Sequence, residues 1–239
     1  MSSDITFQES IFESTEGDNW FQRNKNYLEG KQKQDDIVYN YLNANSELVR
    51  RKSVLEIGCC TGYRLRWLRD DFEALCYGFD PSGAAIAQGI KEYGFTHDQL
   101  FKPENLVDLW NRFKLLEKFG PQSLDTIIFG FSLYLSSPSL QTAIVAQIDR
   151  LLKVNGTIII VDFDSIPQRN RYEHVKDKEI YSYKCQWSKI FTGFPTYMLV
   201  YKSTCMHCHT GVGNGDPKEQ VALSVIKKIS VNFAFPELK

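Results

Sequence analysis

Apolar positions along the chain follow two rhythms. Between residues 7 and 50 they recur at helical spacing, with Trp20, Phe21, Tyr27 and Leu28 in one stripe and Ile37, Tyr41, Leu42 and Leu48 in a second. Beyond residue 50, short apolar runs alternate with amphipathic stretches. Ser53–Ile57 predicts a strand, followed by a glycine-bearing turn and a helix from about Tyr63 to Asp70 that carries Leu65 and Leu68 on one face. Ala74–Asp80 predicts a second strand ending in an acid, and Pro81-Ser82 opens a helix over Gly83–Glu92, proline being favoured at a helix start. A short strand around Leu100, a helix through Trp110 and Phe113, a buried strand over Leu124–Phe131, a helix over Leu140–Leu152 stopped by Asn155-Gly156, and a buried strand over Thr157–Phe163 continue the alternation. This rhythm predicts an α/β fold, a mostly parallel sheet with helices on both faces. After Asp164 the pattern changes to a polar stretch rich in Tyr, Arg and Lys. Tyr197–Thr204 and Val221–Ile229 then read as two antiparallel strands that close the sheet.

Composition narrows the function classes. With 28 basic and 29 acidic residues, the net charge of −1 gives no field of one sign to hold a nucleic-acid backbone. The longest apolar runs, such as Thr157–Val161, are far too short for a bilayer, and the N-terminal MSSDITFQESIFEST has no apolar core of a secretory signal. Six cysteines, two of them adjacent, fit reduced thiols in a cytoplasmic protein better than a disulfide framework. The expectation is a cytoplasmic protein with neither membrane nor nucleic-acid partner.

The turn after the first strand is the expected ligand site, because open α/β sheets bind ligands at the carboxyl ends of their strands. Gly58 and Gly62 let the backbone pass close to a ligand, and Asp80 ends the next strand where a carboxylate can accept both hydroxyls of a ribose. Nicotinamide dinucleotides and S-adenosylmethionine both use such a site. The sequence G-C-C-T-G-Y from Gly58 lacks the second and third glycines of the dinucleotide fingerprint G-x-G-x-x-G. Glu56 would repel a pyrophosphate but suits a ligand with an ammonium group and a sulfonium.

E-I-G-C-x-T-G after a hydrophobic strand resembles the first motif of class I S-adenosylmethionine-dependent methyltransferases. D-x-W-F-x-R-N at Asp18–Asn24, G-F-D-P-S at Gly78–Ser82, I-F-G-F-S-L-Y-L at Ile128–Leu135 and Y-S-Y-K at Tyr181–Lys184 extend the likeness, in order, over most of the chain. Together they are similar to a bacterial small-molecule methyltransferase group. The resemblance implies a Rossmann-like fold closed by an antiparallel C-terminal hairpin, with S-adenosyl-L-methionine as cofactor. It implies one domain over residues 1–239, with 1–50 a helical cap and about 165–196 an acceptor-side insertion.

Carried over residue by residue, Gly58, Cys59 and Gly62 would approach the methionine portion through backbone groups, with Glu56 and Arg64 beside them. Asp80 would take the ribose hydroxyls, and Pro81 or Ser82 would flank the adenine. Glu104 or Asn105 would accept the adenine amine. Phe131, Ser132 and Tyr134 would lie under the reacting methyl. Trp20 would cover the pocket, and Arg23 would pair with the cofactor carboxylate or else face solvent from an ordinary amphipathic helix. Cys60 stands where such enzymes often keep a glycine, and a thiol fits there if the backbone is not at positive φ. The cysteine pair is expected to be neutral and unreactive.

The fourth strand lacks the [DN]-P-P-[YF] sequence of enzymes that methylate amino groups of DNA and protein. This favours oxygen or carbon of a small-molecule acceptor. Asp162, Arg171, Tyr172, His174, Tyr181, Tyr183 and Trp187 are acceptor-side candidates, His174 and Tyr134 the catalytic ones, and His174 the best base. Cys205–His209, C-M-H-C-H, has one C-x-x-C but no distant second pair, so no metal is expected. A monomer or homodimer is expected. The rival reading is a non-catalytic member of the same fold that binds the cofactor or a partner.

Overall fold

The computed structural model describes residues 7–176, 178–206 and 217–237, the side chains of Met206 and Pro217 excepted. The N-terminal segment is helical: α1 (Phe7–Ile11), a π-helical turn (Phe12–Glu16), α2 (Gly17–Gly30) and α3 (Ile37–Ala44). The alternation follows as β1 (Ser53–Ile57), α4 (Tyr63–Phe72), β2 (Leu75–Phe79), α5 (Gly83–Tyr93), β3 (Leu100–Phe101), α6 (Leu106–Asn111), α7 (Lys114–Phe119), β4 (Leu124–Gly130), α8 (Gln141–Leu151) and β5 (Leu152–Phe163). Then come β6 (Gln168–Arg171), β7 (Tyr181–Lys184), α9 (Lys189–Thr192), β8 (Tyr197–Met206), β9 (Gln220–Lys228) and α10 (Val231–Ala234).

Among the described residues, seven strands form one sheet in the order β3-β2-β1-β4-β5-β9-β8. The first five are parallel; β9 runs antiparallel to β5, and β8 to β9. The order reverses between β1 and β4, so a crevice opens at the carboxyl ends of these two strands. Ile127, Ile128 and Phe129 on β4 are fully buried, as a strand covered on both faces must be. One core lies on the side of α6 and α8, with Trp110, Ile144 and Phe191; the other lies under α3, α4 and α5, with Leu42, Leu65, Trp67 and Ile86.

Two local expectations fail for identifiable reasons. The helix through Trp110 and Phe113 is two helices, because Phe113 takes a left-handed backbone (φ 55°) between them. Asn155-Gly156 does not stop a helix. α8 ends at Leu151, and Asn155 (φ 67°) lies within β5, where the register against β4 slips between Leu124 and Thr126. The polar stretch after Asp164 holds a two-stranded sheet, β6 antiparallel to β7. No helix among the described residues is long and apolar enough to cross a membrane.

The N-terminal helices are fastened to the crevice. α2 packs on α5, where Asp18 Oδ1 accepts from Ser82 Oγ (2.7 Å) and Ala84 N (3.0 Å) at the start of that helix. Glu13 Oε2 accepts from Leu106 N at the start of α6 (2.9 Å). On its other side α5 presses against the turn after β1: a Cβ on Gly89 would stand 2.0 Å from the Thr61 carbonyl oxygen. Gly89→Ala therefore has to push helix and turn apart, at a cost of about 2 kcal/mol or more. Thermal unfolding is expected to show Tm lowered by at least about 4 °C. An unchanged Tm would mean that α5 does not approach the turn this closely.

Candidate functional site

The turn after β1 is strapped to the end of β2. Gly58 N (2.9 Å) and Cys59 N (3.1 Å) both donate to the Phe79 carbonyl, and Cys60 N donates to Asp80 Oδ2 (2.8 Å). Asp80 Oδ1 accepts from Ser82 N (2.9 Å). Gly58 has φ +73°, and a Cβ there would meet the Ser132 Cβ at 2.8 Å, so the end of β4 closes over the turn. Cys59 fills the space beside Gly78, and Cys60 packs with Phe21 and Ala85. Cys60 departs from the sequence reading, since its φ is +52°. A left-handed backbone costs an ordinary residue about 1–3 kcal/mol, which the bond to Asp80 and the apolar packing help to offset. Burial, with Asp80 nearby, pushes both thiols well above their ordinary range, so they remain protonated.

Above the turn lies a buried ionic cluster. Arg64, on the first turn of α4, grips Asp36 through Nε to Oδ1 (3.0 Å) and Nη2 to Oδ2 (2.9 Å), and pairs through Nη1 with Glu56 Oε1. Lys31 Nζ adds a second cation 3.1 Å from Asp36 Oδ2. Asp36 also caps α3, accepting from Tyr39 N (2.9 Å). Burial works against the ionised Asp36, but Arg64, Lys31 and the Tyr39 N–H outweigh it and hold the carboxyl well below its usual range. Glu56 has one partner and full burial, which pushes it up to about 7 against the pull of Arg64. Its Oε2 is buried with no hydrogen-bond partner. Asp80 is likewise raised, to about 6, by burial against the Ser82 and Cys60 N–H groups.

These residues border one cleft of about 1280 Å³, large for a single small ligand and suited to a cofactor beside an acceptor. Glu56, Gly58, Cys59, Arg64, Asp80, Pro81, Phe131, Ser132, Tyr134 and Trp20 all line it. At its other end, the rings of Tyr134 and Phe163 (5.2 Å between centroids) and of Phe131 and Phe163 (6.1 Å) make an aromatic wall. Phe12, Tyr172, Arg171 and His174 line this end too, His174 from an exposed position with its ring edge-on to Tyr172.

Other sequence-derived residues fall elsewhere. Gly62 starts α4 facing Leu100 (3.0 Å from a built Cβ) and Phe95, away from the cleft. Ser82 caps α5 by accepting from Ala85 N (3.0 Å) and is buried. Glu104 and Asn105 are exposed, and Asn105 caps α6, accepting from Asp108 N (2.7 Å). Leu106 and Trp110 border the cleft in their place. Arg23 does not line the cleft; its guanidinium pairs with Glu16 and reaches the Tyr172 hydroxyl (3.3 Å). Asp162 is consumed by the backbone, accepting from Leu133 N (3.0 Å), Tyr134 N (3.3 Å) and Phe163 N (2.7 Å). Trp187 is a core residue, and Tyr181 and Tyr183 stand outside the cleft.

Sequence reasoning missed Asp36, whose signal is an acid just before the apolar stripe of α3, and Glu9, which carries no motif. Of the C-M-H-C-H segment, residues 207–209 lie outside the described residues. Among the described residues, no three His, Cys, Asp or Glu side chains are grouped to hold a metal.

Comparison with known proteins agrees with this geometry. The sequence profile of the methyltransferase-domain family matches residues 31–193, and the chain belongs to that family. It is a class I S-adenosylmethionine-dependent methyltransferase, with S-adenosylmethionine as its methyl donor. A search of curated proteins by sequence found no match. Among solved structures, the chain is similar to the Burkholderia thailandensis 1,6-didemethyltoxoflavin-N1-methyltransferase, which holds 1,6-didemethyltoxoflavin and S-adenosylhomocysteine. That match has TM-score 0.68 and 11% identity over 96% of this chain and 92% of the other. An S-adenosylmethionine-dependent methyltransferase from Mesorhizobium loti matches with TM-score 0.59 and 11% identity, over 82% of this chain and 100% of the other. One from Anabaena variabilis matches with TM-score 0.59 and 15% identity, over 90% and 96%. At such identities the likeness is one of fold.

The raised carboxyls give the protein a pH signature. Glu56, Asp80 and Asp162 bind protons more tightly when folded, at about 7, 6 and 7, than at their ordinary values of 4.5, 3.8 and 3.8. Their protonation therefore stabilises the folded chain at low pH, and that contribution is lost as pH rises through 6 to 7. Asp36, held low, contributes a constant amount over this window. The cofactor-free protein is expected to lose stability between about pH 5 and pH 8, with a shallower slope in Glu56→Gln. Denaturant unfolding across that range checks this; a slope unaltered by the substitution would remove Glu56 from the account.

Proposed function

We propose that the chain moves the methyl group of S-adenosylmethionine to an oxygen or carbon of a small-molecule acceptor, rather than to a DNA or protein nitrogen. The observation that carries this reading is the aromatic end of the cleft, bounded by Phe12 from the N-terminal segment, Phe131 and Tyr134 after β4, Phe163, and Tyr172 after β6. These rings suit a compact, flat acceptor held against an aromatic wall. The likeness to the Burkholderia thailandensis enzyme solved with 1,6-didemethyltoxoflavin supports a small-molecule acceptor; that enzyme is named for N1, and the choice of oxygen or carbon rests on the missing [DN]-P-P-[YF] sequence after β4.

The donor side fits the cofactor. The unpartnered Glu56 Oε2 offers a lone pair to an ammonium group, while Arg64 and Lys31 balance Glu56 and Asp36 so that a zwitterion adds no net charge. Asp80 takes the ribose hydroxyls, and Pro81, Leu106 and Trp110 flank the adenine. Bound S-adenosylmethionine supplies a methyl group activated by its sulfonium.

The chain's own task is alignment in a dry pocket. Asp162 fixes the loop carrying Phe131, Ser132 and Tyr134 through its backbone bonds. Burial and the Asp162 charge push the Tyr134 hydroxyl above its ordinary range, so it serves as a donor and a wall, not a base. His174, at the rim, removes a proton where the acceptor must lose one.

Incubation with methyl-labelled S-adenosylmethionine and fractionated bacterial extract is expected to label the low-molecular-weight fraction alone. Label in protein or nucleic acid would overturn the acceptor class. Charge-assisted hydrogen bonds to Asp80 are each worth about 1.5–3 kcal/mol, so Asp80→Ala is expected to weaken S-adenosylhomocysteine by at least about tenfold. Asp80→Asn is expected to be milder. Because Asp80 also accepts from Cys60 N and Ser82 N, Tm is measured beside calorimetry. Undiminished affinity in Asp80→Ala would remove the ribose assignment.

A further inference from the structure

Among the described residues, four buried side-chain polar atoms have no hydrogen-bond partner: Glu56 Oε2, Ser132 Oγ, Glu9 Oε2 and Trp187 Nε1. Trp187 lies in the core. Glu56 and Ser132 meet around the glycine turn at the cofactor end. Glu9 is left over, and it borders the same cleft from α1. Only 5% of its surface is exposed, so solvent does not supply the missing donor. Buried polar groups are nearly always satisfied, and an exception in a cleft is where a ligand completes the count.

The carboxylate is held in one orientation. Glu9 Oε1 accepts from Ser137 N (2.8 Å). Its neighbour Gln8 pins α1 on two sides, donating to the Leu135 carbonyl (2.6 Å) and accepting from Tyr181 N (3.2 Å). The free oxygen therefore belongs to a rigid junction of α1, the loop after β4, and β7. Phe12, on the turn after α1, tilts against Tyr172 with centroids 5.6 Å apart, and both rings line the cleft together with the Phe131, Tyr134 and Phe163 wall. Aromatic surfaces with one buried acceptor fit a flat ring that has a donor on its edge. Burial pushes the Glu9 carboxyl above its ordinary range against the Ser137 N–H, and a second donor would relieve that.

We propose that Glu9 recognises the methyl acceptor, its free Oε2 taking a hydrogen bond from an N–H or O–H on the edge of a flat aromatic or heteroaromatic ring. This rests on the small-molecule reading above and narrows it.

Two probe pairs test it: uracil against its N,N-dimethyl derivative, and catechol against its dimethyl ether. Ligand-observed NMR titrations use wild type and Glu9→Gln, each with and without S-adenosylhomocysteine. Wild type is expected to bind a donor-bearing member at least about tenfold more tightly than its methylated partner. In Glu9→Gln, the Ser137 N–H keeps the amide oxygen at Oε1 and places an NH₂ where Oε2 stood. The preference is expected to vanish or invert, while S-adenosylhomocysteine affinity and Tm stay within about twofold and about 2 °C of wild type. Equal binding within both pairs, no binding by any member, or a preference that survives Glu9→Gln would each overturn the proposal. Failure of wild type to bind S-adenosylhomocysteine would strike the cofactor reading instead, and the titrations without cofactor would still decide Glu9.

Discussion

The grip of Arg64 on Asp36 and Glu56 is the constraint around which the site is built. One guanidinium ties the start of α3 to the end of β1 from the first turn of α4. A buried ion cluster of this kind adds little net stability over well-packed apolar residues, whereas leaving one of its charges unpaired is costly. Its effect here is positional. It fixes the N-terminal helices against the sheet and turns Glu56 so that one oxygen is satisfied and the other faces the crevice without a partner.

The asymmetry between the two carboxylates follows from this arrangement. Asp36 has two bonds from Arg64, a lysine and a backbone N–H, and remains ionised. Glu56 has a single pair and complete burial, so it competes with protons near neutrality. Asp80 shares that condition at the end of the next strand. The fold thus gathers incompletely compensated carboxyls at the strand ends, and the proposed site is where a cationic, hydroxyl-bearing cofactor would complete them. The folded chain is less well satisfied without that ligand, as expected of a binding site shaped for charge.

Much of this was legible in the sequence. The strands and helices around the sheet follow from short apolar runs alternating with helical patterns, Gly58 and Asp80 from their places after β1 and β2, and Pro81, Phe131, Ser132 and Tyr134 from the family resemblance. What was not legible has physical causes. Gly62, Ser82 and Asn105 match motif positions, yet each is used at a helix start, a local role that the same residue types serve equally well. Arg23 was open to cofactor or solvent, and its actual partners, Glu16 and Tyr172, depend on a contact between residues 149 positions apart. Cys60 at positive φ is strained locally and supported by Asp80, which no single-residue preference reveals.

The cleft divides by origin as well as by chemistry. The half proposed for the cofactor is made largely from strand ends, where a carboxylate or glycine has an address readable from the sheet rhythm. The half proposed for the acceptor is assembled from α1, the loop after β4 and the β6–β7 pair, whose meeting depends on long-range bonds such as Gln8 to Leu135 and Tyr181. The bonds that shape the proposed acceptor end therefore lie outside the β1–α4 turn. Glu9 belongs to that half: it has no motif, and only the folded chain shows that one of its oxygens is buried and unmatched.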